Sequence, residues 1–523
     1  MAAVLVLGLC PSIALADESY PDVDHKIYAG PEESTTVNVG NVTVEGDSST
    51  YDFAAYASAK QNQSAEINAH GNVTLTSDEP CENAVGAVSA AQTNTSTVNI
   101  TGDVTVNIDN ADNPESAVFG VDASAAAPGA EAVMNVDGNV TATNVASGGD
   151  HLVYGVITNA MYGTEDGQNS TSVVVGGDVV AEAVDKTGAL NGEATGVSAF
   201  AANACDSSTV VKGGVYAKGD DAYGVDVKMN SSSTKPVTDA GTTATILIGK
   251  GGVTVEGDKS FATGLSVYNN GGSATISVAG DVKASSKSGG EAGVYADGFA
   301  GMTDILVNGV ISSKMIGVVD GTQGGQLIVT AWKIDSDIVA GKSKGQELVE
   351  DEATEKAINY IIKVEQPQEG NILKLLGTAV KEMATTEGVG SFDVANMDQK
   401  VYLSVEDGWT ITAAFNGLGE KVALEKDDGG WYVIVPNGGG VYLSAQVAKI
   451  EPGPGPEPEP EPEPAPGPTP GPTPASFSDE DTSGRLPATG DSGAPIVALA
   501  LVASAGLVLT LTAFNRSRRR IEE

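Results

Sequence analysis

Along residues 36–317 apolar side chains come in short runs that alternate with polar ones, and the runs themselves recur. TVNVGNVTV at 36–44 sets the pattern: Val37 and Val39 point one way and Asn38 the other, then Val42 and Val44 resume with Thr43 opposite. A period of two is that of a strand buried on one face. Between Val39 and Val42 the step is three, beside Gly40, so a corner is expected there, with glycine accepting the positive φ of a sharp bend. The phrase returns as EINAHGNVTL (66–75), TVNITGDVTV (97–106), VMNVDGNVTA (133–142), SVVVGGDVVA (172–181), TILIGKGGVTV (245–255), TISVAGDVKA (275–284) and DILVNGVIS (304–312). A looser copy, TVVKGGVYA, stands at 209–217. Anchoring glycines from Gly40 to Gly309 fall about 34 residues apart on average, the spacing of a repeat architecture. A third apolar run follows each pair, usually opening with GV or GL, from Gly86 to Gly317.

Three short strands, two corners and one variable loop per repeat describe one coil of a β-solenoid. The chain is therefore read as all-β, with a parallel β-helix of about 9–10 coils over residues 36–335, successive coils hydrogen-bonded at roughly 4.8 Å. Val, Ile and Ala would fill the interior, and no coil could bury its apolar face without neighbours. The two end coils need covering because their strand edges are unpaired. Residues 17–35, with Tyr20, Pro21 and Pro31, suit the N-terminal cap, and 326–334 lead toward the other. Cys81 and Cys205 lie about four coils apart, too far to bridge, and are expected as free thiols.

Beyond the repeats the pattern changes. Residues 336–450 read as a small β-rich module: 347–358 is charged and helix-tolerant, and strands are expected at 359–364, 401–405, 410–415, 422–425, 431–435 and 441–447. Asp427-Asp428-Gly429-Gly430 marks a hairpin turn, and VYLS occurs at both 401 and 441. Trp332, Trp409 and Trp431 all follow the repeats, so an aromatic core is expected here. Residues 451–485 form a Pro/Glu-rich linker with proline at every second position from 452 to 474. Fixed φ angles and missing donors keep it extended as polyproline II, a stiff stalk.

The two ends speak of export. Residues 1–16 carry an apolar run closing on Ala14-Leu15-Ala16, the small residues of a signal peptidase site, so cleavage is expected between Ala16 and Asp17. No basic residue precedes that run, which suits a start upstream of Met1. At the other end Leu486-Pro487-Ala488-Thr489-Gly490 is followed by an uncharged segment at 494–514 and a basic tail at 515–523 with Arg516, Arg518, Arg519 and Arg520. As a helix the segment would span about 31 Å, the thickness of a bilayer core, and the arginines would stop transfer. This tripartite order resembles the cell-wall sorting signal of Gram-positive surface proteins. The resemblance implies that a sortase cleaves between Thr489 and Gly490 and joins the Thr489 carboxyl to peptidoglycan, so the membrane holds only the precursor. The 336–450 module is similar to the small all-β spacers that precede such anchors. The repeats resemble the β-solenoid regions of bacterial adhesins, a likeness of pattern that transfers no individual functional residue.

Charge narrows the partners. With 28 basic against 69 acidic residues the net charge is −41, which repels nucleic acid and anionic lipid surfaces. Parallel β-helices also host polysaccharide lyases and hydrolases, which need clustered acids and bases on one face. Histidine occurs only at His25, His70 and His151, and Asp178, Asp220, Asp221 and Asp281 are scattered among corners and loops. No GxSxG, HExxH, Walker loop or calcium repeat is present, and no Cys/His spacing suggests zinc. The expected function is adhesion through the loops at 109–116, 191–193, 203–208 and 231–243, with a glycan or protein ligand and no cofactor, metal or catalytic residue. A surface glycan-degrading enzyme and a purely structural wall protein are the alternatives.

Overall fold

Each repeat closes one turn of a parallel β-helix, because its three runs are pinned to the matching runs of the repeats before and after. The computed structural model describes residues 20–450 except 32–34, 48–49, 61–62, 111–115, 148–150, 164–167, 231–240, 259–260, 289, 345–346, 367–373, 416–420 and 423. First strands stack in register as Val37, Ile67, Val98, Met134, Val173, Thr209, Ile246, Ile276, Ile305 and Val329. Second strands stack as Val42, Val73, Val104, Val140, Val179, Val215, Val253, Val282, Ile311 and Ile334. Ten rungs on each face match the 9–10 coils expected from the spacing of the repeats. Most of these side chains are fully buried, and they form one continuous core.

The corners are built differently from the expectation. Among the anchoring glycines only Gly252 has a positive φ, +72°. At the others, room is what matters: a Cβ on Gly138 would stand 2.6 Å from Gly102 O of the preceding coil. At six of the nine the space is taken by an Asn or Asp on the residue after the glycine, and five of these form a continuous ladder. Asn72 N donates to Asn41 Oδ1 at 2.9 Å, Asp103 N to Asn72 Oδ1 at 2.9 Å, Asn139 N to Asp103 Oδ1 at 2.7 Å, and Asp178 N to Asn139 Oδ1 at 2.8 Å. Asp178 continues to Gly214 N, and Asp281 repeats the contact with Val310 N. Two of the acids read from sequence as scattered are thus corner fasteners, each satisfying a backbone donor that the bend leaves over.

A second glycine column runs through the third strands. Alanine at Gly86 would place its Cβ 2.6 Å from both Gly120 O of the next coil and Cγ1 of Val104 on the second strand. Gly120, Gly155, Gly196, Gly224, Gly264 and Gly293 meet the same two kinds of neighbour. The second and third faces therefore approach more closely than two side chains would permit.

At the N-terminal end Gly40 N donates to Pro21 O and Val23 N to Asn41 O, and Ile27–Ala29 pairs with Ala55–Ala57, so this segment covers the first coil's edge. At the other end the parallel ladder runs a few residues past 335. Ile338–Lys344 pairs with Ile316–Asp320 and then turns back against Glu347–Glu350. The single helix among the described residues, Glu352–Ala357, is capped by Asp351, which accepts from Thr354 N. A hairpin absent from the sequence reading, Ala379–Thr385 with Gly388–Ala395, lies against the solenoid. Its Met383 and Val394 pack with Leu306 and Ile361, and Lys381 Nζ reaches Asp304 at 2.7 Å.

The rest of the module forms two four-stranded sheets. One joins Lys363–Glu365, Tyr442–Lys449, Trp409–Phe415 and Lys421–Val422; the other joins Lys374–Leu376, Lys400–Ser404, Gly430–Ile434 and Glu425–Asp427. The hairpin turn at 427–430 is present, with Asp427 opposite Gly430. The expected aromatic core is met by tyrosines and not by the tryptophans: Tyr360 and Tyr432 are buried, along with Val401, Leu403, Ile411, Val433, Val435 and Leu443. Trp332 and Trp431 are only partly buried at its margins.

Replacing Gly86 with alanine should lower stability by roughly 1–3 kcal/mol through overpacking, although alanine ordinarily favours a strand over glycine. The urea midpoint of the full chain measures it; Thr105→Ala, at an outward second-strand position, should change it by less than about 0.5 kcal/mol.

Candidate functional site

The third strands decide where the solenoid keeps its aromatic side chains. They are the longest of the early coils, Asp52–Ala59, Asn83–Ala91, Ala117–Ala125, Leu152–Ala160 and Glu193–Ala202. Val118, Val121, Ala123 and Ala125 belong to the interior core, so Phe119, Asp122 and Ser124 face the other way. In the early coils, outward positions on the first and second strands, such as Asn68 and Thr74, are half-buried. Those on the third strands are not so open: Val85 is 0% exposed, Phe119 4%, Ile157 5% and Tyr154 7%. The outer side of these strands is thus a second buried layer.

Two in-register columns run along that layer: Phe53, Val85, Phe119 and Tyr154, and beside them Tyr56, Val88, Asp122 and Ile157. Phe119 and Tyr154 stack with centroids 5.5 Å apart and planes 6° from parallel. Tyr28 stacks on Tyr56 at 5.8 Å, and Phe53 tilts against Tyr56 at 5.3 Å. Such pairs add attraction beyond their buried area.

Polar groups share the layer. Asp122 Oδ1 accepts from Ser124 Oγ at 2.6 Å. Burial pushes the Asp122 carboxyl up to about 6, while the Ser124 hydrogen bond pulls the other way. Tyr51 lies near it; burial, and then the Asp122 charge, drive that phenol upward. In the next coil Asn159 sits in register with Ser124. It is buried, and its Oδ1 has no hydrogen-bond partner among the described residues; Ser58 Oγ, in the same column, is in the same condition. Buried polar atoms without partners are rare enough in folded proteins to need a reason.

Asp226 occupies the column of Asp122 three coils further on and pairs with Lys228 at 2.7 Å. At roughly 4.8 Å per coil the two carboxyl groups stand about 14 Å apart. Carboxylate pairs that cleave glycosidic bonds are held about 5–9.5 Å apart, so these two do not form such a pair.

Other sequence candidates fall elsewhere. His25 is exposed beside Asp24, and the His70 ring stacks on Tyr20 at 3.9 Å. His151 is buried with Nε2 3.1 Å from Asn191 O. Asp221 accepts from Phe261 N at 3.1 Å. Cys81 and Cys205 are buried free thiols, and burial raises the Cys205 value. No group of three or more His, Cys, Asp or Glu side chains gathers among the described residues as a metal site would require. The cleavage site at Ala16 and Asp17, most of the loops at 109–116 and 231–243, the linker, the sorting motif Leu486 to Gly490, the 494–514 segment and the arginine tail lie outside the described residues.

The outer layer escaped sequence reading because alternation marks which residues share a face, not how deeply the outer face is sunk. One signal was available: Phe119, Tyr154 and Tyr223 each directly precede a third-strand glycine. No protein-family model matches the chain, and neither does any curated protein or solved structure.

The Asp122 shift gives a signed expectation. Its folded value, about 6, lies above the ordinary 3.8, so between about pH 4 and 6 the folded state binds more protons than the unfolded one. Stability should therefore fall as pH rises through that window, by up to about 3 kcal/mol, and be recovered on acidification. Urea midpoints at pH 4 and pH 7 should differ in this direction, and Asp122→Asn should remove that share of the difference.

Proposed function

We propose that the chain is an exported surface protein that a sortase joins to peptidoglycan through Thr489, and that its β-helix is an adhesive frame held away from the wall by the β module and the proline linker. The attachment half of the reading is supported by LPATG, the apolar segment and the arginine tail standing in that order. The adhesive half rests on one observation: outside the interior core the third strands carry a second layer with aromatic side chains, in which Phe119 stacks on Tyr154. In this reading the partners are sortase, peptidoglycan and an external ligand, and the membrane holds the precursor alone. The glycan-cleaving alternative finds no support in the 14 Å expected between Asp122 and Asp226 from a spacing of roughly 4.8 Å per coil.

Cell fractionation tests the attachment. The native chain should appear in the muramidase-released fraction, shortened by loss of residues 490–523, whereas Thr489→Ala should stay full length in the detergent-extracted membrane. An unshortened native chain confined to the membrane would sink the reading.

A further inference from the structure

Resting on the attachment half of that reading, we infer that the β module is a mechanical clamp: residues 438–444 are stitched to the last coil and to Lys363–Glu365, so that tension arriving through the linker passes into the solenoid without unfolding the module. A chain joined to the wall at one end and to a ligand at the other is loaded along its length. The load enters at Lys449, the C-terminal end of Tyr442–Lys449. That strand pairs in parallel with Lys363–Glu365, as Lys363 to Tyr442, Val364 to Leu443 and Glu365 to Ser444. Lys363–Glu365 is in turn held by its N-terminal end, because Asn359–Ile361 just before it continues the parallel ladder on Thr330 and Ala331. Pulling one strand by its C-terminus while its parallel neighbour is held by its N-terminus slides the two along each other. The evenly spaced bonds of a parallel ladder then share the load, whereas a hairpin pulled at its open end yields one pair at a time.

Three further observations support the clamp. The residues just before Tyr442 bond directly to the last rung: Ile334 N donates to Gly438 O and Gly440 N to Trp332 O, both at 2.8 Å. Val441 O accepts from Lys363 N at 3.0 Å and from Trp332 Nε1 at 3.2 Å. Force therefore leaves the module at these bonds and bypasses the chain between 366 and 437. Gly438, Gly439 and Gly440 have φ of +77°, +69° and +79°, and a Cβ on Gly439 would run into the buried Tyr360 ring, so the close seat of this loop on the coil requires glycine. Beside it Lys363 Nζ donates to Asn308 O at 2.7 Å and lies over the Trp332 ring. Lastly, Ile334, Tyr360 and Ile362 at the solenoid's end share one apolar core with Val435, Val441 and Leu443, where a freely jointed spacer would keep a core of its own.

Single-molecule force measurements on the detergent-solubilised full chain test this. Handles are coupled through an azide-bearing residue at Thr254, on a second strand of the solenoid, and at either Thr473 in the linker or Asp428 in the exposed hairpin turn. Loading through Thr473 should reach about twice the force or more at first yield than loading through Asp428, which peels the Glu425–Asp427 edge pair by pair. Trp332→Phe removes the Nε1 donor and keeps a ring; it should lower the Thr473 value and leave the Asp428 value unchanged. Gly439→Ala should lower the Thr473 value further, and its urea midpoint reports whether it still folds. Equal first-yield forces by the two routes, or a Thr473 value that neither variant lowers, overturns the clamp. No wall takes part in this measurement, so such a result leaves the attachment reading intact. Failure of attachment in the fractionation experiment would remove the source of the load without touching the measured force.

Discussion

Close approach of the second and third faces governs this molecule. Gly86 carries no side chain because Gly120 O and Val104 Cγ1 already occupy the place where one would be. Repeated through Gly120, Gly155 and Gly196, this contact keeps the second-strand valines tight against the third sheet, so a core of small aliphatic side chains can be filled without aromatics. The low aromatic content, which looks like a deficit for a chain this long, is a consequence of a narrow cross-section.

Polar groups perform the matching task at the corners. A bend interrupts the ladder of main-chain hydrogen bonds, and each backbone donor it frees needs an acceptor. The column from Asn41 to Asp178 supplies one per coil. Those side chains need room above the preceding glycine, and that sets the Gly-Asn and Gly-Asp pairs of the repeat. Interior glycine and corner amide are two answers to one requirement, that coils stack at main-chain hydrogen-bonding distance.

The outer layer of the third strands departs from this economy. Burying Asp122 far enough to push its carboxyl to about 6 and leaving Asn159 Oδ1 without a partner both oppose folding. Ten register-locked rungs can tolerate such local costs, since each coil is held by two neighbours. Features that weaken a fold without serving its core are where function is to be sought.

Much of this was written in the chain itself. Alternating valines and a recurrent glycine determined three strands per coil, parallel stacking and about ten coils, because side-chain direction and glycine's lack of a Cβ are local properties. The order of LPATG, apolar segment and arginines is likewise legible only as sequence. Tertiary structure alone decided that the corner glycines, Gly252 apart, answer to space and not to φ, that the 379–395 hairpin lies on the solenoid, and that the module buries tyrosines and leaves its tryptophans at the margin. It also decided that Phe119, Tyr154, Asp122 and Asn159, from two coils, share one buried outer layer. Alternation says which way a side chain points, but what it meets there depends on residues brought beside it only by the stacking of coils.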